Sequence, residues 1–261
     1  MKQVKLIASI VTGTLLFASC SKDGGYGSSK PPVVESTVVS VAGDLTAALT
    51  QFRSILGDQL NTTPNQTTGR REVNWDGVAA NLTNNGNFPL DFFNNTDPAG
   101  PNGRKRGLQY VAGTTFRVDS TAFAEIDPTY ATTFKAFSPK KLIAPVNTNI
   151  TEVVFKVPGT ATDASVKGFG LIFSDVDNAN ATTVEFFDGY TSLGVFKAPV
   201  RNDANGFSFL GVFFPNNKIT RVKITAGNAA LAAGVKDVSE GGNKDLVVLD
   251  DFFYSEPVQL N

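Results

Sequence analysis

The 261-residue sequence contains no histidine, and this absence excludes more chemistry than any other feature of the composition. Histidine is the general base of Ser-His-Asp and Cys-His catalysis and a frequent ligand of zinc and iron. Hydrolases of those two classes and His-ligated metal centres are therefore excluded. Any acid-base chemistry would depend on Asp, Glu, Lys or Tyr.

The chain also lacks an excess of basic charge, because its 23 basic and 24 acidic residues give a net charge of −1. A nucleic-acid binder carries a basic excess that neutralises phosphates. No Gly-rich phosphate loop followed by Lys and Ser or Thr is present, and Gly168-Phe-Gly170 lacks the third glycine of a dinucleotide fingerprint. The sequence therefore predicts no nucleic-acid partner.

The N-terminus has the pattern of a secretory signal peptide, with charge in residues 1–5, an apolar run over 6–17 and small residues before Cys20. The twelve-residue apolar run is too short to cross a bilayer, which takes about 20 residues. A lone cysteine after Ala18-Ser19 fits a bacterial lipobox, in which the thiol is acylated. We predict a signal peptide over 1–19 and lipid attachment at Cys20.

Residues 20–32 consist mostly of Gly, Ser, Lys and Pro, a composition that predicts a flexible tether. Ser21-Lys22-Asp23 resembles the short acidic export signal of bacterial surface lipoproteins. The predicted location is the outer membrane, with the chain anchored in the membrane by lipid and exposed at the surface.

Residues 33–261 are predicted to form one all-β domain with one N-terminal helix. Apolar residues between 41 and 56 recur at helical spacing, with Ser40 as a cap and Gly57 as the end. Short strand-like runs bounded by turn residues then follow without intervening helices, which favours an antiparallel β-sandwich. The nine runs cover residues 108–112, 115–118, 152–157, 166–174, 182–187, 192–196, 207–214, 219–225 and 246–254.

Four Phe-Phe doublets sharpen this prediction. Adjacent residues of a strand point to opposite faces, so a doublet predicts a strand covered on both sides. We expect one face to line the sandwich core and the other to lie under loops or the N-terminal helix.

Six segments together resemble, in the same order, an uncharacterised family of secreted bacterial proteins that often carry a PEP-CTERM sorting tail. The resemblance implies a jelly-roll-like sandwich and supplies no catalytic residues. The sequence departs from the family after Pro257, where the sorting tail is expected, and Cys20 would supply the anchor instead. The segments are residues 70–78, 88–94, 168–177, 184–188, 207–212 and 248–253.

The acids after the predicted strand 166–174 suggest a calcium site. Asp175 and Asp177 begin a run of alternating oxygen ligands of the type that Ca²⁺ binds, although the run does not fit an EF-hand loop. We expect Asp250 or Asp251 of the last strand and Asp76 to complete the site. The alternatives are that the first two acids only form turns and that the Asp250-Asp251 pair is held by a salt bridge or a capped loop.

Trp75 is the one tryptophan and a candidate platform for a sugar ring, with Asn74 and Asp91 as partners for sugar hydroxyls. The alternative is that Trp75 packs in the core. Residues 103–107 form a basic cluster that could hold an acidic polysaccharide or lie in a solvated turn.

These features together predict a cell-surface lipoprotein that acts as a non-catalytic glycan-binding or structural envelope module with bound calcium. The alternative is a carboxylate-dependent, glycan-active enzyme, which needs two carboxyls about 5 to 10 Å apart. Eligible carboxyls are Glu72, Asp76, Asp91, Glu125, Asp175, Asp177 and Glu185.

Overall fold

A computed structural model describes residues 34–203 and 206–260. The predicted signal peptide, Cys20 and the tether lie outside these residues. Residues from Val34 onward form one compact unit. Within it the chain forms the following elements in order: β1 (Thr37–Ala42), α1 (Thr46–Leu56), β2 (Arg70–Val73), β3 (Leu108–Tyr110), β4 (Phe116–Asp119), α2 (Tyr130–Thr133), β5 (Leu142–Pro145), β6 (Ile150–Lys156), β7 (Asp163–Ser165), β8 (Gly168–Ser174), β9 (Thr183–Asp188), β10 (Thr191–Lys197), β11 (Phe207–Phe213), β12 (Arg221–Thr225), β13 (Val248–Ser255) and β14 (Val258–Gln259).

The described strands form two seven-stranded sheets. The first sheet has the order β1-β11-β8-β13-β5-β4, with β2 also paired to β13. The second has the order β10-β9-β12-β6-β7-β14, with β3 also paired to β6. Each of these strand pairs is antiparallel, and from β5 onward the chain passes repeatedly between the two sheets. The prediction of an all-β antiparallel sandwich is confirmed.

The N-terminal helix is present but begins later than predicted. Residues 37–42 form strand β1 because their β-branched run Thr-Val-Val-Ser-Val pairs with β11 along its whole length. Ser40 therefore lies in a strand and does not cap the helix. At the start of the helix the Thr46 N–H instead donates to Asp44 Oδ1 at 3.0 Å. Gly57 ends the helix as predicted, with its N–H donating to the Arg53 carbonyl.

The last long strand shows why the Phe-Phe doublets mark strands covered on both faces. Phe252 lies in the core between the sheets, 5.3 Å from the Phe169 ring. Phe253 points to the opposite face, where it packs with Phe52 of α1 and lies 5.9 Å from the Phe209 ring. The helix therefore covers the outer face of the first sheet, as the doublet predicted.

Two glycines let α1 approach this sheet closely. Phe52 is fully buried against Gly170 and Gly211, and a Cβ added at Gly211 would lie 2.7 Å from the Phe52 ring. We expect Gly211→Ala to lower the free energy of unfolding by about 1–3 kcal/mol through overpacking. Urea unfolding measures this loss, with Gly77→Ala as the control because a Cβ there meets no atom within 4 Å. Equal stability of the two variants would show that the helix moves away from the sheet at no cost.

Candidate metal centre and ligand pocket

An acidic triad gathers where β8 ends. Asp175 follows the last residue of β8 with a φ of 76°, a left-handed conformation that Asp tolerates better than most residues. Its carboxylate is buried beside those of Asp177 and Asp237, and one oxygen from each of the three lies within 4.8 Å of the others. The sequence singled out Asp175 and Asp177 but missed Asp237, which lies about sixty residues away without a recognisable motif.

Asp237 is held in place by backbone groups on both of its oxygens. Its Oδ1 accepts from the Ser239 N–H at 2.7 Å and caps a 3₁₀ turn over Val238–Glu240. Its Oδ2 accepts from the Leu246 N–H, also at 2.7 Å. The carboxylate is therefore preorganised by its own loop.

A fourth acid, Asp245, ties the two loops together. Its oxygens accept from the N–H groups of Asp177 and Asn178 at 3.0 and 3.1 Å. Burial raises the pKa of Asp245 to about 6, although these backbone bonds oppose the rise. The Asp245 carboxylate thus joins the segment after β8 to the loop before β13.

One cation, Arg201, lies in the triad. Its Nε donates to Asp177 Oδ1 at 2.6 Å and its Nη2 to Oδ2 at 3.2 Å, while Nη1 forms an ion pair with Asp175. Three carboxylates against one guanidinium leave a formal charge of −2. Sequence reasoning missed Arg201 because an isolated arginine in a loop carries no signal of its partners.

The excess negative charge must be balanced because burying an uncompensated charge is costly. Burial, with repulsion from Asp237, raises the pKa of Asp175 to about 9, while Arg201 acts in the opposite direction. Asp175 Oδ2 is buried and receives no hydrogen bond from the described residues. The arrangement can take up either a proton or a cation, and its oxygen-only ligands suit a hard divalent ion.

The structure does not place Asp76, Asp250 and Asp251 in this triad, so this part of the predicted calcium site is corrected. The pairing of β13 with β8 shifts register between Leu249 and Phe252, and both intervening acids bond to the segment before β5. Asp250 Oδ2 accepts from the Phe137 N–H at 2.6 Å, and Asp251 Oδ1 accepts from the Ser138 hydroxyl at 2.5 Å.

These acids form a second group of their own. Asp76 Oδ1 accepts from the Lys141 N–H at 3.1 Å. Asp250 is fully buried, and burial together with the neighbouring Asp251 raises its pKa. Burial also raises the pKa of Asp251, and repulsion from Asp76 and Glu72 adds to this rise. Hydrogen bonds from the segment before β5 thus satisfy both carboxyls of the pair.

Trp75 packs in the core, so it cannot serve as a sugar platform. Its side chain is fully buried, with edge-on contacts to Phe252 at 5.1 Å and Phe93 at 6.3 Å between ring centroids. The prediction of sugar stacking on Trp75 is therefore wrong. Asp91 is exposed and does not line the neighbouring pocket, whereas Asn74 does.

That pocket has a volume of about 420 Å³ and opens beside Asn74. Its charged lining residues are Glu72, Arg104, Arg106 and Asp251. Apolar side chains complete the lining, chiefly Val73, Val78, Phe92 and Phe93.

The basic residues beside the pocket are more ordered than a solvated turn would be. The Arg104 guanidinium lies 4.4 Å from the Phe92 ring centroid, and its Nε donates to the Phe92 carbonyl. Lys105 is buried and donates to the Pro98 carbonyl, and Arg106 Nη1 donates to the Asn61 carbonyl at 2.7 Å. The loop presents cations in fixed positions.

In the part of the chain that the structure describes, no helix is long and apolar enough to cross a membrane. Comparisons of the chain with models of protein families, with curated proteins and with solved structures find no match.

Proposed function

We propose that the protein is a non-catalytic binding module of the bacterial surface, anchored by lipid at Cys20 and stabilised by one bound calcium ion. The observation that carries the calcium proposal is the triad of Asp175, Asp177 and Asp237, whose three carboxyl groups lie together beside the guanidinium of Arg201. A divalent cation would replace the proton that Asp175 otherwise holds and would balance the charge of the ionised carboxylates. The lipid anchor rests on the sequence pattern alone.

Calcium suits this ligand set better than magnesium. Magnesium demands near-ideal octahedral geometry and keeps several waters, whereas calcium accepts six to eight oxygens in irregular arrangements. The oxygens of Asp237 and Asp177 already accept bonds from fixed backbone groups or from Arg201, so they cannot rearrange freely. A cation here must adapt to the protein.

The ion would hold together segments that are distant in the sequence. Asp175 and Asp177 follow β8, whereas Asp237 precedes β13, the strand that pairs with β8. Rigid loops at this end of the sheet are what a binding surface needs, because ordering loops at the moment of binding weakens affinity.

A role without catalysis is supported by the state of Glu72. Glycoside hydrolysis needs two carboxyls in working positions. Burial would raise the pKa of Glu72, but its bonds to Arg53 and Arg70 at 2.8 to 2.9 Å outweigh burial and lower it. Glu72 is therefore a fixed anion in the pocket. Among the described residues, Asp251 is then the one pocket-lining carboxyl without an ion pair.

The calcium proposal predicts that a chelator destabilises the purified full-length chain. Calcium at a hundred times its dissociation constant adds about 2.7 kcal/mol. For a domain of this size we expect the unfolding temperature to fall by about 5–10 °C in excess EDTA. Thermal unfolding followed by circular dichroism measures the shift, which calcium should restore and equimolar magnesium should not.

Two variants make the test specific to the triad. Asp175→Asn removes one ligand charge while keeping the left-handed backbone conformation, which Asn also tolerates, and should abolish the response to calcium. Asp91→Asn changes an exposed acid outside the triad and should respond as the unmodified protein does. If the unmodified protein gave the same melting curve in calcium and in EDTA, the calcium proposal would be refuted, and the triad would be balanced by a proton instead.

A further inference from the structure

We infer that the pocket beside Asn74 binds a carboxylate-bearing sugar unit of an acidic glycan, an inference that rests on the proposed binding function. The pocket combines two arginines, the carboxyl groups of Glu72 and Asp251, an amide and apolar side chains within about 420 Å³. Sites for small molecules have this makeup, with a largely apolar lining and a few polar groups that fix orientation.

The two arginines that line the pocket, Arg104 and Arg106, point to an anionic ligand. Among the described residues neither of them forms an ion pair with an acid. The Arg104 guanidinium lies over the Phe92 ring, and among the described residues only its Nε donates a hydrogen bond, so both terminal nitrogens are available. A guanidinium held in this way is suited to bidentate binding of a carboxylate.

Two other residues that line the pocket are suited to hydroxyl groups. Asn74 is exposed, and among the described residues its amide makes only weak contacts, at 3.4 Å to the Asp76 N–H and 3.5 Å to the Ser138 hydroxyl. Asp251 is oriented by the Ser138 hydroxyl, which donates to its Oδ1 at 2.5 Å. An amide and a carboxyl can together bond the paired donors and acceptors of adjacent sugar hydroxyls.

An amino acid or a peptide end would also carry a carboxylate for the arginines. It would need an ionised partner for its ammonium group. Glu72 is ionised, but both of its oxygens already accept hydrogen bonds from Arg53 or Arg70. Burial raises the pKa of Asp251, which disfavours the charged form that an ammonium ion would need. The observations therefore favour the acidic sugar.

The test measures binding of galacturonate, glucuronate and mannuronate trimers to the purified full-length protein by isothermal titration calorimetry. Matching neutral hexose trimers and free glutamate serve as comparison ligands. We expect at least one uronate trimer to bind with a Kd below 1 mM, and its neutral counterpart to bind at least tenfold more weakly. Binding of glutamate alone, or of none of the uronates, would overturn the inference.

Two variants locate the site, and one controls for charge. Arg104→Gln should weaken uronate binding at least tenfold. Asn74→Asp, at an exposed position that does not threaten folding, should weaken uronate binding through repulsion and spare neutral sugars. Lys223→Gln removes a cation from β12, outside the pocket, and should change nothing. Uronate binding that both pocket variants retain would place the site elsewhere and overturn the inference.

The sugar test is independent of the calcium test. Asp175→Asn should abolish the thermal response to calcium and leave uronate binding unchanged, because Asp175 does not line the pocket. Loss of both properties in that variant would mean that the pocket depends on the triad, whereas uronate binding without a calcium response would refute only the metal proposal.

Discussion

Arg71→Ala is expected to lower the free energy of unfolding by about 3–5 kcal/mol, because it leaves the buried carboxylate of Glu256 without its ion-pair partner. Arg71 and Glu256 form a bidentate pair with both N···O distances at 2.7 Å, and their side chains are 0% and 1% exposed. Domains of this kind are stable by only about 5–15 kcal/mol, so the variant removes a large share of the total. Urea unfolding measures the loss.

The size of the effect follows from what the pair joins. Arg71 lies on β2 and Glu256 just after β13, and Arg71 also donates to the carbonyls of Thr63 and Lys105. Asn61 Nδ2 donates to Glu256 Oε2 at 2.8 Å. Loss of the guanidinium therefore leaves the Glu256 carboxylate with Asn61 as its remaining side-chain donor among the described residues, and it removes the Arg71 donor from two backbone carbonyls.

Two further variants distinguish the cost of burying an unpaired carboxylate from the loss of the attraction between the two charges. The double variant Arg71→Met with Glu256→Leu should recover most of the stability, since apolar residues of similar volume replace buried ion pairs at little cost. Lys156→Ala breaks an ion pair whose Asp163 side chain is 71% exposed, and should cost less than about 1 kcal/mol. A loss below 1 kcal/mol for Arg71→Ala would mean that water reaches Glu256.

The strands of the sandwich could be predicted because their apolar patterns are local. All nine predicted runs overlap observed strands, but five observed strands were not predicted, namely β1, β2, β5, β7 and β14. The strand β2 was missed because Arg71 and Glu72 read as exposed residues. Arg71 is buried only because Glu256 is its partner, 185 positions further along the chain. The helix began too early in the prediction because Val41 fits both a helical spacing and a strand paired with β11.

The metal centre could be predicted only as far as its ligands are adjacent in sequence. Asp175 and Asp177 were found because acids after a buried strand form a visible cluster. Asp237 and Arg201 come from separate loops, so only the fold brings them to that cluster. Asp250 and Asp251 were assigned to the same site because the register shift in β13, which directs both toward the segment before β5, leaves no mark on the sequence.

The calcium-free protein is expected to lose stability as the pH rises from 6.5 to 9. Burial raises the pKa of Asp175 from its ordinary 3.8 to about 9, so across this range the folded chain holds a proton that the unfolded chain has released. The free energy of unfolding therefore falls with rising pH, by up to about 1.4 kcal/mol per pH unit for one carboxyl. Burial raises the pKa of Asp250 as well, so this second carboxyl adds to the fall.

Asp175→Asn identifies the carboxyl responsible, because the amide has no proton to release. In EDTA this variant should show a flatter pH dependence than the unmodified protein and higher stability at pH 8.5. Asp250→Asn is the comparison variant, because burial raises the pKa of Asp250 as well. It should retain the part of the pH dependence that Asp175 contributes. Urea unfolding at pH 6.5, 7.5 and 8.5 provides the three curves, and parallel curves for Asp175→Asn and the unmodified protein would show that Asp175 is ionised when folded.

Calcium should remove or reverse this pH dependence in the unmodified protein. The ion binds ionised carboxylates and displaces their protons, so its apparent affinity rises with pH. The gain in the free energy of unfolding on adding calcium should therefore be largest above pH 8. In Asp175→Asn, calcium should give no such gain. If a proton and a calcium ion compete for the same triad, calcium must change the pH dependence of the free energy of unfolding in this way. Calcium bound elsewhere would leave the same pH dependence in the calcium-bound and calcium-free protein.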